Sequence, residues 1–291
     1  MENLQSDHLD TQNLYRDMQK RTGGEIYIGV VGPVRTGKST FIKRFMDVAV
    51  LPYMEDAAQK TRAQDELPQS AGGRTITTTE PKFIPQEAVE LKLAGEVTIR
   101  VRLVDCVGFM VEGAAGHLED GAERLVKTPW YDHEIPFTQA AELGTRKVIT
   151  DHSTIGVVVT TDGSFSDLPQ ETYLDAENQA ISELKKLHKP FLVLVNSSHP
   201  SSRTAREAAE RIEKQHSVAA MPVNCAQLSE EDIRQIMEQI LYEFPVSRVE
   251  FYMPKWVEML PFSHPLKTGL IEKIRELTGK IRTIRDVAEH P

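Results

Sequence analysis

Cysteine is scarce: Cys106 and Cys225 are the only two in 291 residues. Two thiols so far apart make no disulfide framework, and they are too few for a structural zinc site of the cysteine type. They suit a reducing cytosol. Long apolar runs are missing too, so nothing in the sequence is built to span a bilayer. Work at a membrane would mean lying on its surface or being recruited there. Residues 1–24 are polar and mixed in charge, without the apolar stretch of a secretory signal. They read as a leader with a short helical pattern around Leu14 and Met18. Positive charge is in deficit, with 34 Lys and Arg against 43 Asp and Glu and a net charge of −9. That balance argues against general binding to nucleic acid, because nothing offsets phosphate repulsion over the surface. The histidines show no metal-ligand spacing. Internal repeats and low-complexity tracts are lacking.

What is present is a globular composition, 40% hydrophobic and 26% charged, in a length that allows one large domain or two ordinary ones. Glu25 to Val31 is apolar and β-branched and reads as a buried strand. Lys38 to Val50 reads as a helix. Leu51 to Pro85 is polar, rich in Pro, Gly and Thr, and reads as a long functional loop. Val89 to Leu93 and Val97 to Val104 read as a hairpin turning at Ala94-Gly95-Glu96. Residues 108–150 give no clean pattern. Ile155 to Thr160 and Pro190 to Asn196 are further buried strands, and Ala219 to Val223 is a short one. Helices are expected over Leu168 to Leu187, Ser202 to His216, Glu230 to Phe244 and Leu266 to Val287. Apolar strands alternating with helices indicate an α/β fold, a mostly parallel sheet with helices on both faces. The divisions expected are a leader over 1–24, a nucleotide-hydrolysing domain over 25–245, and a linker with an amphipathic helix over 246–291.

The clearest motif is Gly32-Pro33-Val34-Arg35-Thr36-Gly37-Lys38-Ser39, which fits G-x-x-x-x-G-K-[ST] between a strand and a helix. The glycines let the backbone curl, so that successive N–H groups face the β-phosphate, and Gly32 to Thr40 are the residues expected to bind the nucleotide. The helix N-terminus adds its dipole. Lys38 neutralises β- and γ-oxygens, and the Ser39 hydroxyl ligates Mg²⁺. Asp105-Cys106-Val107-Gly108 then reads as D-x-x-G at a strand end. Asp105 can hold the Mg²⁺ shell, and the Gly108 N–H can approach the γ-phosphate. Between these lies Thr75-Ile76-Thr77-Thr78-Thr79, where one hydroxyl could complete the Mg²⁺ shell. Thr78 or Thr79 is the best candidate, against an ordinary threonine-rich strand edge.

This order of loop, threonine switch, antiparallel strand pair and D-x-x-G is that of the GTPase-like, TRAFAC-type branch of phosphate-loop NTPases. That branch next uses N-K-x-D to read guanine. Here the strand ends Asn196-Ser197-Ser198-His199, keeping Asn196 but not the Lys or the Asp. A neutral His199 cannot accept two hydrogen bonds as a carboxylate does, so ATP becomes the favoured nucleotide. Phe109 follows Gly108, where many small GTPases carry a glutamine that orients water. Slow turnover by the isolated chain is therefore expected. Arg35 either sets a fixed charge near the phosphates or faces solvent.

Longer stretches carry a family resemblance. RTGGEIYIGVVG, VRTGKSTFIKRFM, RAQDELPQS, TTEPKF, RLVDCVG, TPWY, AAELGTRKVI, HSTIGVVVTTDG and ILYEFPV, running from Arg21 to about Val246, closely resemble the ATPase region of the stage IV sporulation protein A family of endospore-forming bacteria. The resemblance implies an ATPase of the mother-cell cytoplasm that self-assembles at the forespore surface into the basement layer for the spore coat. It implies roles for Lys38, Asp105 and the pair Thr78 and Thr79 in binding and hydrolysing ATP. Its implied partners are further copies of the chain, a small amphipathic membrane-associated peptide and spore coat proteins. Members of that family run well past residue 291, so a fragment or a shortened relative is expected.

Other features admit two readings. Thr128 to Phe137, with Trp130, Tyr131 and His133, is a subunit contact or lid, or a packed surface loop. The last helix, with Lys267, Lys273, Arg275, Lys280, Arg282 and Arg285 opposite its apolar stripe, meets a membrane surface or docks on protein. Besides an assembly ATPase, the sequence leaves open a regulatory GTPase-like switch and a nucleotide-binding structural module that hydrolyses little.

Overall fold

The computed structural model describes residue 19 and residues 22–68, 80–92, 98–114, 118–119, 122–165, 168–246 and 248–289. It forms two compact units, Met1–Ile240 and Leu241–Pro291.

The first unit begins with strand β1 (Glu25–Val31) and helix α1 (Lys38–Phe45), which a π-helical turn extends over Met46–Val50. Helix α2 (Ala57–Asp65) and strands β2 (Lys82–Lys92) and β3 (Thr98–Asp105) follow. Next come two small hairpins, β4 (Leu118–Glu119) with β5 (Ala122–Glu123) and β6 (Leu125–Thr128) with β7 (Tyr131–Pro136). Then run α3 (Phe137–Lys147), β8 (Ile155–Thr161), α4 (Leu174–Lys186), β9 (Phe191–Asn196), α5 (Arg203–His216), β10 (Ala220–Val223) and α6 (Glu230–Tyr242). Six strands form one sheet in the order β10-β9-β8-β1-β3-β2, parallel except for β2, which runs antiparallel to β3 at the edge. Every residue of β8 and β9 is buried. Successive side chains point to opposite faces, so both faces of the sheet are covered there. This is the α/β architecture that the alternating pattern indicates, including the single antiparallel strand.

Two stretches of the first unit differ from the sequence reading. Leu51 to Pro85 is not one long loop. A 3-10 turn, Leu51–Tyr53, leads to α2, whose start is fixed by Asp56: its carboxylate accepts from Ala58 N at 2.8 Å and Gln59 N at 3.3 Å. Ala63 is the one buried residue of α2, so no apolar stripe announced it. β2 starts at Lys82 rather than Val89, because Lys82 to Ile84 pair with Leu103 to Asp105 before the register shifts. The turn at 94–96 and the helical pattern around Leu14 lie outside the described residues.

In the second unit the helix expected over 266–287 is broken. α7 (Lys255–Glu258) is followed by α8 (Pro265–Lys280) and, after a gap, α9 (Ile284–Glu289). The break has a cause. Val246 N donates to Arg282 O at 2.9 Å and Ile284 N to Phe244 O at 3.0 Å, which holds 282–284 extended. The Asp286 carboxylate then accepts from Arg282 N at 2.7 Å and Thr283 N at 2.8 Å and starts a new helix. No residue of α8 is buried.

Candidate functional site

The carboxyl end of β1 passes directly into the glycine loop. Gly32 has φ 129°, and a Cβ there would lie 2.4 Å from Val159 O. Gly37 has φ 97°, with the same added atom 2.3 Å from Asn196 Nδ2. Only glycine meets both demands. Thr36 is fully buried, its hydroxyl 2.6 Å from Val159 O and 3.0 Å from Pro33 O. Its side chain thus ties the loop to the sheet and is not free for a ligand. Arg35 is half-buried in the left-handed region, φ 62°. Thr40 lies half-buried in the first turn of α1.

Lys38 starts α1 and is only 5% exposed. Its Nζ lies 2.5 Å from Pro33 O and 3.5 Å from Gly32 O, so it folds back onto its own loop. Burial holds its pKa below the usual lysine value, and the neighbouring Cys106 and Asp105 oppose that shift. The next residue, Ser39, donates from Oγ to Asp105 Oδ2 at 2.9 Å, across from α1 to the end of β3. Asp105 Oδ1 accepts from Cys106 N at 3.0 Å. Burial pushes the Asp105 carboxyl up, against the Ser39 bond and the Lys38 charge. Ammonium, hydroxyl and carboxylate therefore sit at one place, at a helix N-terminus.

The D-x-x-G segment packs against this loop. Gly108 has φ 100°, and a Cβ there would meet Gly32 O at 2.3 Å and Lys38 Nζ at 2.5 Å. Phe109 N donates to Gly32 O at 3.0 Å, and Val34 N donates to Phe109 O at 2.9 Å. The expectation of open amides from Gly32 onward is corrected here, since Pro33 has none and that of Val34 is already used. The Gly108 N–H, expected to await a phosphate, donates to Thr145 Oγ1 in α3 at 3.1 Å. Phe109 is fully buried in the core with Val31, Val34 and Val104. Nothing in the spacing of the sequence pointed to Thr145 or to the pairing of Val34 with Phe109.

Asn196 ends β9 and is 7% exposed. Its Nδ2 donates to Thr36 O at 2.9 Å, and its Oδ1 accepts from Cys225 N at 3.0 Å. Its side chain fastens the glycine loop to the turn after β10, so both ends of the amide are bonded within the protein at a residue expected in the nucleotide-binding set. His199 is exposed, and its N–H donates to Ser197 Oγ at 3.0 Å. The Ala226 N–H donates to Asn224 Oδ1 at 3.1 Å. Thr78 and Thr79 lie outside the described residues. Among the described residues no group of three or more His, Cys, Asp or Glu could hold a metal ion, and none of the helices is long and apolar enough to cross a membrane.

A strand, glycine loop and helix of this sequence, on a parallel sheet with one antiparallel edge, define a phosphate-loop protein of GTPase-like build. Residues 9–245 match the ATPase domain of stage IV sporulation protein A, and residues 246–290 match its middle domain. The chain belongs to the stage IV sporulation protein A family. It is 48% identical over 275 residues to stage IV sporulation protein A of Clostridioides difficile (strain 630), covering 94% of this chain and 56% of that protein. With the Bacillus subtilis (strain 168) protein it shares 44% over 279 residues, covering 96% and 57%. The chain thus spans a little over half the length of these curated relatives. Among solved structures, a crystal structure of an SsGBP variant overlaps it with a TM-score of 0.42 and 12% identity, covering 81% of this chain and 62% of that one.

Proposed function

We propose that this chain binds ATP with Mg²⁺, hydrolyses it slowly, and uses that cycle to assemble with further copies of itself. One observation carries the reading. The Lys38 ammonium is buried beside the Ser39–Asp105 pair, and the carbonyls of its own loop are its hydrogen-bond partners. A cation so placed suits the oxygens of a polyphosphate, and the N-terminus of α1 favours the same charge. Ser39 and Asp105, with Thr78 or Thr79, would hold Mg²⁺. So few protein oxygens fit this ion, which keeps waters and substrate phosphates in its shell. When bound, Mg²⁺ neutralises charge on the phosphates.

The base preference rests on the loops after β9 and β10. His199 stands where guanine recognition needs a carboxylate to accept two N–H groups. In the loop after β10, the Ala226 N–H is given to Asn224 and is not open to a base. These features favour ATP and oppose the regulatory GTPase reading. Family membership supports a sporulation role in the mother-cell cytoplasm at the forespore surface, in the basement layer of the coat. The partners proposed are further copies, a small amphipathic membrane-associated peptide and coat proteins, with no nucleic acid.

A second reading, a nucleotide-binding structural module with little hydrolysis, is favoured by the buried Phe109 ring, which cannot orient water. Turnover separates the two. Purified chain is measured with ATP and GTP over a concentration series, beside Lys38→Ala. Selective ATP hydrolysis that rises per molecule with concentration is the expected result. Tight ATP binding without turnover at any concentration selects the structural module, and a strong preference for GTP overturns the ATP assignment.

A further inference from the structure

The hydrogen bond from Gly108 to Thr145 joins the D-x-x-G turn to α3 and belongs neither to the sheet's ladder nor to the helix's own backbone bonding. α3 makes its own backbone bonds, and the Thr145 hydroxyl already donates to Ala141 O at 2.8 Å, one turn back in the same helix. The Gly108 backbone lies close to the Lys38 ammonium, since a Cβ added there would fall 2.5 Å from Lys38 Nζ. It sits in a left-handed conformation, which leaves no room for a side chain between the two. Thr145 is fully buried, and its hydroxyl also reaches the Cys106 thiol, so this oxygen lies directly beneath the D-x-x-G turn.

We propose that Thr145 is the acceptor the Gly108 N–H uses when no γ-phosphate is present, and that it thereby sets how strongly the site prefers a triphosphate over a diphosphate. This rests on the nucleotide reading above. The chemistry is asymmetric in a useful way. A buried N–H left without an acceptor is costly. A hydroxyl oxygen that loses one incoming bond is not, provided its own proton stays bonded. When Gly108 turns away, Thr145 still donates to Ala141, so no donor is orphaned. The threonine can therefore release the amide to a competing phosphate oxygen at little cost. In the diphosphate state it takes the amide back. Thr145 is a positioning residue, since it acts through Gly108 and needs no contact with the nucleotide.

The test compares wild type, Thr145→Val and Thr145→Ser by equilibrium binding of ADP and of a non-hydrolysable ATP analogue, both with Mg²⁺. Valine keeps the shape and removes the oxygen acceptor, so without a γ-phosphate the Gly108 N–H keeps only the Cys106 sulfur, a weak acceptor. The affinity ratio of triphosphate to diphosphate should rise about tenfold in Thr145→Val, while Thr145→Ser keeps the wild-type ratio. General damage to the fold would weaken both nucleotides together and leave the ratio unchanged. An unchanged ratio in a Thr145→Val protein that still binds both nucleotides overturns the role of Thr145 and spares the nucleotide reading. If Thr145→Val does not fold, Thr145→Ala, which also removes the acceptor, takes its place: a rise of the ratio toward tenfold supports the proposal and an unchanged ratio overturns it. Failure of wild type to bind either nucleotide overturns both.

Discussion

Replacing Asn196 by alanine should loosen the glycine loop and destabilise the first unit. Asn196 uses both ends of its amide in a nearly dry place: Nδ2 to Thr36 O at 2.9 Å and Oδ1 from Cys225 N at 3.0 Å. Alanine removes both partners at once and leaves a carbonyl and an N–H unsatisfied. Each buried orphan costs about 1–3 kcal/mol. Two of them, with some relaxation, give a loss of about 2–5 kcal/mol. For a domain of this size each kcal/mol lowers Tm by about 2–4 °C, so the transition should fall by roughly 4–20 °C. Asn196→Asp sharpens the point. It keeps an acceptor for the Cys225 N–H but sets a carboxylate against the Thr36 carbonyl, so it should fall at least as far as alanine. Thermal unfolding followed by circular dichroism reads the stability. Hydrogen exchange at Gly37 and Cys225 reads the loop, and both amides should exchange faster in the variants. If Asn196→Ala loses less than about 0.5 kcal/mol, the ordinary range of a surface change, the amide is not a fastener and the assignment fails.

Three further outcomes follow from the same geometry. Burial lowers the Lys38 pKa in the fold, so between that value and the unfolded value of 10.5 the unfolded chain holds more protons and stability rises with pH. Lys38→Met should raise the Tm of nucleotide-free protein at pH 7 by about 2–4 °C per kcal/mol released and flatten the rise toward pH 10, whereas an equal or lower Tm at pH 7 contradicts a buried, poorly solvated ammonium. Phe109→Gln puts an amide into the core without bringing it to the loop, so it should lose about 2–4 kcal/mol with no gain in ATP turnover, and faster turnover at unchanged Tm would refute this. Burial pushes the Cys106 thiol to about 11 and the Cys225 thiol up as well. At pH 8 neither should react with a disulfide reagent in native protein and both should react in urea; one fast native thiol would contradict the packing around it.

How much of this could be read in advance depended on whether a residue signals through its neighbours in sequence. The glycine loop did, because Gly32, Gly37, Lys38 and Ser39 form a recognisable motif within one short segment. β8 and β9 did as well, since a strand buried on both faces must be apolar throughout. Helix α2 did not, as a capped polar helix with Ala63 alone inside has no periodic stripe to show. The break between α8 and α9 stayed hidden for the opposite reason. Ile281 and Ile284 continue the spacing of Leu270, Ile274 and Leu277, while the cause of the break, pairing with 244–246, is some forty residues away. Thr145 and Asn196 are matters of partner choice. Their residue types were visible, but the groups they bond are set by the sheet order, which places the ends of β1, β3 and β9 together.

Lys38, which is buried, and Asp105, which is half-buried, pull stability in opposite directions with pH. Lys38, with its pKa lowered, penalises the fold wherever the ammonium is charged, so its contribution improves as pH rises toward 10.5. Asp105, with its pKa raised from 3.8, penalises the fold once it ionises, so stability falls as pH rises from about that value through the raised one. Neither group is fully at ease in its charged form, although each partly offsets the other. A ligand that brings negative charge to Lys38 and a cation to Asp105 relieves both penalties at once. Binding should therefore raise Tm more in wild type than in a Lys38→Met, Asp105→Asn double variant titrated with the same ligand to saturation. Equal shifts in the two proteins would mean that the buried pair is structural and that the ligand is held elsewhere.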